Sequence, residues 1–192
     1  MGRRHRVEST QSHAWRGNIR GDRVPCYPWW VESHASFATA IGPCTLAWTP
    51  TGIVRLRLLD ESPSDAPATP APAWVKDAMR RIVAHLAGAL DPLTDLPLDL
   101  SRVSPFARRI YAALRACPPG ATVSYGELAR QAGSPAAARA VGRAMATNPI
   151  PIVIPCHRVL AAGGRPGGFS APGALTTKAR MLAIEGVELS GG

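Results

Sequence analysis

Residues 149–160 read PIPIVIPCHRVL. Three prolines interrupt an apolar run that ends in Cys156, His157 and Arg158. A core strand would avoid such an ending, because each unpaired buried polar group costs about 1–3 kcal/mol. The stretch is therefore either a surface turn that carries polar groups, or a device that delivers a reactive cysteine into a dry place.

The flanks add helices. Upstream, Ser124-Tyr125-Gly126-Glu127 is a capping box that opens a short helix ending at Gly133. Ser134-Pro135 then starts a second helix to about Thr147, rich in alanine and carrying Arg139 and Arg143. Helix, glycine turn, helix is the order of a helix-turn-helix, with small residues for close approach and arginines for phosphate or base. The same composition suits an alanine-rich helix packed in a core. Ser104-Pro105, with Phe106, Ile110 and Leu114 every four residues, predicts an amphipathic helix over 105–116, stopped by Pro118-Pro119-Gly120. Downstream, Leu175, Ala179 and Leu182 share one face of a helix over 175–185. The GGRPGG run at 163–168 lacks the Lys-Ser/Thr of a phosphate-binding loop and reads as a turn.

Towards the N-terminus, residues 36–58 read as two or three short strands, with Val54, Leu56 and Leu58 alternating with Arg55 and Arg57. A proline-rich link spans 61–73. Trp74, Ala78, Ile82 and His85-Leu86 form the apolar stripe of a helix over 74–89. Residues 90–101 are an acidic connector, and the domain boundary is placed there. Residues 1–33 read as a basic, disordered tail. The uncharged stretch 35–54 is broken by Gly42, Pro43, Pro50 and Gly52, which argues against a membrane span.

Charge is unevenly distributed. Residues 1–23 carry six arginines against two acids, residues 24–100 five bases against eight acids, and residues 101–192 eleven bases against three acids. A strongly basic C-terminal half suggests a polyanionic partner. Cys26, Cys44, Cys117 and Cys156 include no CxxC pair, so neither a zinc ribbon nor a disulfide scaffold is signalled, and the pattern suits a reducing compartment.

A cysteine attacks as thiolate, and a free thiol near pKa ~8.5 needs a base or positive charge to ionise. His157 is adjacent, but neighbouring side chains in an extended segment diverge, so a bridging water or a turn is required. The histidine needs an orienting carboxylate. The C-terminal half offers Glu127, Glu185 and Glu188; Glu127 belongs to the capping box, which leaves Glu185 as the better candidate. The reading requires the sulfur of Cys156 to sit ionised in a water-poor cavity.

The segment NPIPIVIPCHRVL, preceded by ARAVGRAMAT and followed by GGFSAPGALTTKARMLAIEG, resembles the methylated-DNA–protein-cysteine methyltransferases of the bacterial constitutive type. The likeness is strong over residues 102–187 and loose over 36–100. It implies an α/β fold in two parts: a small ribonuclease-H-like α/β domain over 34–100, and a mainly helical, winged helix-turn-helix domain over 101–188. It implies that Cys156 accepts the alkyl group, that His157 is a water-mediated base oriented by Glu185, and that Asn148 stiffens the turn before the active segment. Arg139 would fill the base stack, Tyr125 would lie near the target phosphate and flipped base, and Met145, Val159, Phe169 and Ser170 would line the guanine pocket. Arg158 would be structural. Expected with these are duplex DNA carrying O6-alkylguanine or O4-alkylthymine as partner and substrate, single-turnover chemistry, no cofactor, no metal, and a monomer in the cytoplasm away from membranes. Phe169 departs from the tyrosine common in the family, and the loop 171–177 is slightly longer than in several relatives. A lesion-binding module without transfer and a helix-turn-helix regulator are the alternatives.

Overall fold

Alternating apolar and charged side chains, punctuated by Gly42 and Gly52, fold the N-terminal part into an antiparallel meander. Its strands are β1 (Ser33–Thr39), β2 (Gly42–Thr49) and β3 (Gly52–Leu58), in that order. The computed structural model describes residues 32–60, 70–169 and 171–189. The expected tail over 1–33 thus lies outside the described residues except for Glu32 and Ser33, and Ser33 already pairs with Trp48 as the first residue of β1. Residues 61–69 of the proline-rich link and Ser170 also lie outside them.

On β3, Leu56 and Leu58 face the core as their alternation predicts, but the third inward residue is Ile53 and not Val54. The cause is a register irregularity at Ala47/Trp48, which offsets the pairing by one residue and reverses which side chain points inward. Helix α1 (Ala73–Ala84) buries Val75, Ala78 and Ile82, and runs on into one wider turn, His85–Ala89, which buries His85 and Leu86. Trp74, expected on that stripe, is half-buried against the core.

The acidic connector is not a free linker. Leu93 and Leu96 are buried, and Leu98 pairs with Ile53 through Ile53 N–H to Pro97 O and Asp99 N–H to Ile53 O, both 2.9 Å. A Cβ on Gly52 would lie 2.8 Å from the Pro97 carbonyl oxygen, so only glycine lets this segment close on the sheet. Arg81 clasps Asp91 and Asp95 at 2.7–2.8 Å.

In the C-terminal part, the Ser104 and Ser124 hydroxyls accept from the backbone N–H groups of Ala107 and Glu127. They cap α2 (Pro105–Arg115) and α3 (Tyr125–Gln131) as the sequence predicts. Helix α4 (Ala138–Ala146) begins later than Ser134-Pro135 suggests, because Ala137 N–H bonds to Ser134 O and closes a turn first. A two-residue parallel ladder joins β4 (Val123–Ser124) to β5 (Val159–Leu160), and α5 (Ala174–Ile184) ends the described fold.

The two parts share one apolar core. Arg115 donates to the carbonyls of Leu93, Thr94 and Leu96, Arg180 reaches the Ala40 carbonyl, and Leu56 N–H bonds to Pro149 O at 2.9 Å. The result is a mixed α/β fold with a small antiparallel sheet and helices. Among the described residues no helix is long and apolar enough to cross a membrane, and no three or more His, Cys, Asp or Glu side chains are grouped so as to hold a metal ion.

Candidate active site

Up to Arg158 the PIPIVIPCHRVL segment is neither a strand nor a surface turn, and only Val159–Leu160 at its end is a strand, β5. Its prolines and branched residues fold into a tight buried turn in which Ile154 N–H bonds to Ile150 O at 2.8 Å. Ile152 takes a left-handed φ of 73°, which costs a β-branched residue on the order of 1–3 kcal/mol. Burial of Ile150, Ile152, Val153 and Ile154 offsets that strain. Asn148 pins the turn from inside: its Nδ2 donates to Ile154 O at 2.8 Å and its Oδ1 accepts from Ile150 N–H at 3.0 Å. Cys156, His157 and Arg158 follow in a single 3-10 turn, and that turn swings adjacent side chains to different partners.

Cys156 is 5% exposed, and what it exposes opens into a cleft of about 270 Å3. Leu56 and Leu58 from β3, with Asn148, Pro151, Phe169 and Pro172, line that cleft. Burial pushes the Cys156 thiol above its ordinary pKa, against an opposing hydrogen bond from Asn148 and the charge of Lys178. The low-dielectric site disfavours the charged sulfur, which runs against the expectation of a standing thiolate and leaves ionisation to a neighbouring base.

The group able to drive it is in place. His157 Nε2 lies 3.0 Å from Glu185 Oε1, an arrangement in which Nε2–H donates to the carboxylate. His157 Nδ1 is then a lone pair, buried and without a protein partner among the described residues. Burial pushes the imidazole pKa down, which keeps His157 neutral and able to take a proton, while Glu185 pulls the other way. Burial would raise the Glu185 carboxyl, but hydrogen bonds from His157, His85 and Arg158 outweigh it and hold that group far below the usual carboxylate range. Arg158, 1% exposed, forks onto Glu185 through Nε at 2.9 Å and its terminal nitrogen at 2.7 Å, and also donates to Cys117 O. Its expected structural part is thus to neutralise the buried carboxylate.

Of the other residues singled out, Phe169 lines the cleft and Ser170 lies outside the described residues. Tyr125 opens α3, half-buried, with its pKa raised chiefly by burial. Its ring closes on Gly167, where an added Cβ would collide with the hydroxyl. Met145 and Val159 are buried and do not line the cleft. Arg139 and Arg143 are exposed on α4. The structure adds groups that sequence reasoning passed over. Lys178, fully buried, donates to Val159 O at 2.6 Å and Gly167 O at 3.4 Å, and burial brings its pKa down to about 8. The only hint was its place two helical turns before Glu185. The cleft wall from β3 had no sequence signal at all.

Comparison with known proteins agrees with this geometry. The family described as 6-O-methylguanine DNA methyltransferase, DNA binding domain, matches residues 105–187. A methylated-DNA–protein-cysteine methyltransferase of Mycolicibacterium paratuberculosis is 44% identical over 147 residues, which cover 76% of this chain and 87% of that one. The crystal structure of Mycobacterium tuberculosis OGT in complex with DNA superposes with a TM-score of 0.65 at 39% identity, over 80% of this chain and 92% of that chain. A Thermus thermophilus relative called a DNA base-flipping protein is 38% identical over 151 residues, covering 77% of this chain and 96% of its own length. With likeness of this degree running through both parts of the fold and through the cysteine segment itself, the chain belongs to the methylated-DNA–protein-cysteine methyltransferase family.

Proposed function

We propose that this chain repairs duplex DNA by moving an alkyl group from O6 of guanine, or O4 of thymine, onto Sγ of its own Cys156. The observation that carries this reading is a nearly buried thiol at the floor of a cleft, one residue from an imidazole whose Nε2 is held by Glu185 and whose Nδ1 is uncommitted. Through a bridging water, His157 Nδ1 takes the thiol proton. The thiolate attacks the sp3 carbon, the C–O bond breaks, its electron pair leaves with the base, and the base takes up a proton to become ordinary guanine. The product is a thioether with no hydrolytic exit, so each molecule acts once and needs no cofactor or metal.

The target atom lies inside the duplex, so the nucleotide has to be extruded at a cost of a few kcal/mol. Exposed Arg139 on α4 is suited to fill the vacated stack, and small residues along that helix suit close approach to a groove. In this reading Tyr125 contacts the target phosphate and the flipped base, Phe169 and Ser170 border it, and Met145 and Val159 support the pocket from behind. Asn148 keeps the turn rigid. We read residues 34–100 as ribonuclease-H-like and 101–188 as a winged helix-turn-helix, in a cytoplasmic monomer.

A lesion-binding protein without transfer is the second reading, favoured by the name of the Thermus relative; the assembled Cys156–His157–Glu185 site favours transfer. Incubation with duplex DNA carrying labelled O6-methylguanine decides between them. Transfer predicts one label per chain and none in Cys156→Ala. Tight binding with no label on wild-type protein supports the second reading.

A further inference from the structure

Glu185 Oε1 is over-subscribed. It receives His157 Nε2 at 3.0 Å, Arg158 at 2.7 Å and a third donor, His85 Nε2, at 3.2 Å. A carboxylate oxygen has about two lone-pair directions, so three donors compete for it. His85 does not belong to the cysteine segment or to α5. It lies in the wide turn that ends α1, where Gly88 and then Leu90 take left-handed backbone, and it is 2% exposed. The N-terminal part therefore places an imidazole against the one carboxylate that orients the base of the C-terminal part. An apolar residue would fill this position without leaving a buried polar atom; His85 leaves its Nδ1 without a partner among the described residues. Its hydrogen bond to Glu185 is what that orphaned atom is tolerated for.

We propose that His85 is a positioning residue for alkyl transfer: by sharing Glu185 Oε1 with His157, it limits how strongly the carboxylate can hold the His157 imidazolium and so sets the basicity of that base. The proposal rests on the reading of His157 as the base. The charged and titratable groups that act on His157 are Glu185 at the end of α5, Arg158 in its own turn and His85 from the turn after α1; Cys156 is its chain neighbour, and Lys178 acts on Cys156. Among these, Glu185 favours charge on His157 and Arg158 disfavours it, while His85 competes for the oxygen that would hold that charge. Removing the His85 donor therefore frees Glu185 for His157 and makes His157 the stronger base.

The test is the single-turnover rate of methyl transfer from O6-methylguanine duplex against pH, with the full chain. His85→Phe keeps the bulk and removes the donor. Its acid limb is expected to move up by about half a pH unit or more, a loss of about threefold at the acid end. His85→Gln, which can still donate to Oε1, is expected to restore the wild-type profile. A His85→Phe profile that superimposes on wild type overturns the proposal. His157→Phe separates the two readings: if it transfers at the wild-type rate, the base reading falls and takes this one with it. If it is slow while His85→Phe matches wild type, only this one falls. Nitrogen-15 spectra of the wild-type protein give an answer that needs no folded variant. They are expected to show His85 protonated on Nε2 with a bare Nδ1, and the reverse tautomer overturns the proposal.

Discussion

Replacing Glu185 with glutamine changes one oxygen to nitrogen and nothing in size, yet it touches stability, rate and pH dependence together. The carboxylate is 4% exposed and serves a guanidinium that is 1% exposed. Glu185→Gln leaves the Arg158 charge buried without its counter-charge, and breaking such a pair from one side costs about 3–5 kcal/mol. That is a large share of the roughly 5–15 kcal/mol that holds a domain folded, so the variant folds but with little in reserve. Urea unfolding reads the loss as a lower midpoint at unchanged slope. Single-turnover transfer from O6-methylguanine duplex, measured where the variant is still folded, is expected to slow about 100-fold, within the range that a positioned base supplies. The pH dependence has a definite sign. The Glu185 carboxyl is held far below its unfolded value of about 4.3, so its stabilisation is complete above that pH and is lost as pH falls towards the folded value. The gap between wild type and Glu185→Gln should therefore narrow below about pH 4. A variant within about 1 kcal/mol of wild type at pH 7, or a gap that does not narrow in acid, would refute the reasoning.

Asn148→Ala removes the donor to Ile154 O and the acceptor for Ile150 N–H, and is expected to cost about 1–3 kcal/mol in urea unfolding. It also raises the Cys156 thiol further, so alkylation slows at neutral pH and recovers as pH rises. Arg139→Ala should weaken duplex binding by a similar factor whatever the sequence. If the guanidinium also meets a phosphate, the slope of log affinity against log salt should fall by about 0.9. Lys178→Met replaces a buried ammonium whose pKa is about 8. In wild type the unfolded chain binds the extra proton between that value and about 10.4, so stability attributable to Lys178 rises with pH across that window. Comparison of wild type with Lys178→Met by urea unfolding from pH 7 to 10 should show that rise only in wild type.

Much of the site was legible because its chemistry is local. Ser104 and Ser124 announce helix starts through side chains that cap the next turn, and both caps form. Cys156, His157 and Arg158 are consecutive, and of the three acids in the C-terminal half Glu127 belongs to a cap, which points to Glu185. What the residues concealed depends on contacts between distant segments. The irregularity at Ala47/Trp48 exchanges Val54 for Ile53, and no local pattern signals it. The 90–101 connector reads as a linker until its backbone bonds to Ile53 are seen. Its role as sheet edge depends on the bare Cα of Gly52. Burial of Cys156, and with it the upward push on its thiol, follows from walls on β3 a hundred residues upstream. His85 was indistinguishable from the apolar stripe around it, since a histidine on a buried helical face declares a partner only when that partner is located.

The most direct test of the whole account is where the methyl group ends up. Cleavage after arginine releases residues 144–158 as one peptide, in which Cys156 is the only cysteine. After folded protein has been mixed with excess O6-methylguanine duplex, that peptide should be heavier by one CH2, with fragmentation placing it on sulfur, and the peptides holding Cys26, Cys44 and Cys117 should be unchanged. Damaged DNA that loses its methyl group while residues 144–158 keep their original mass would contradict the account.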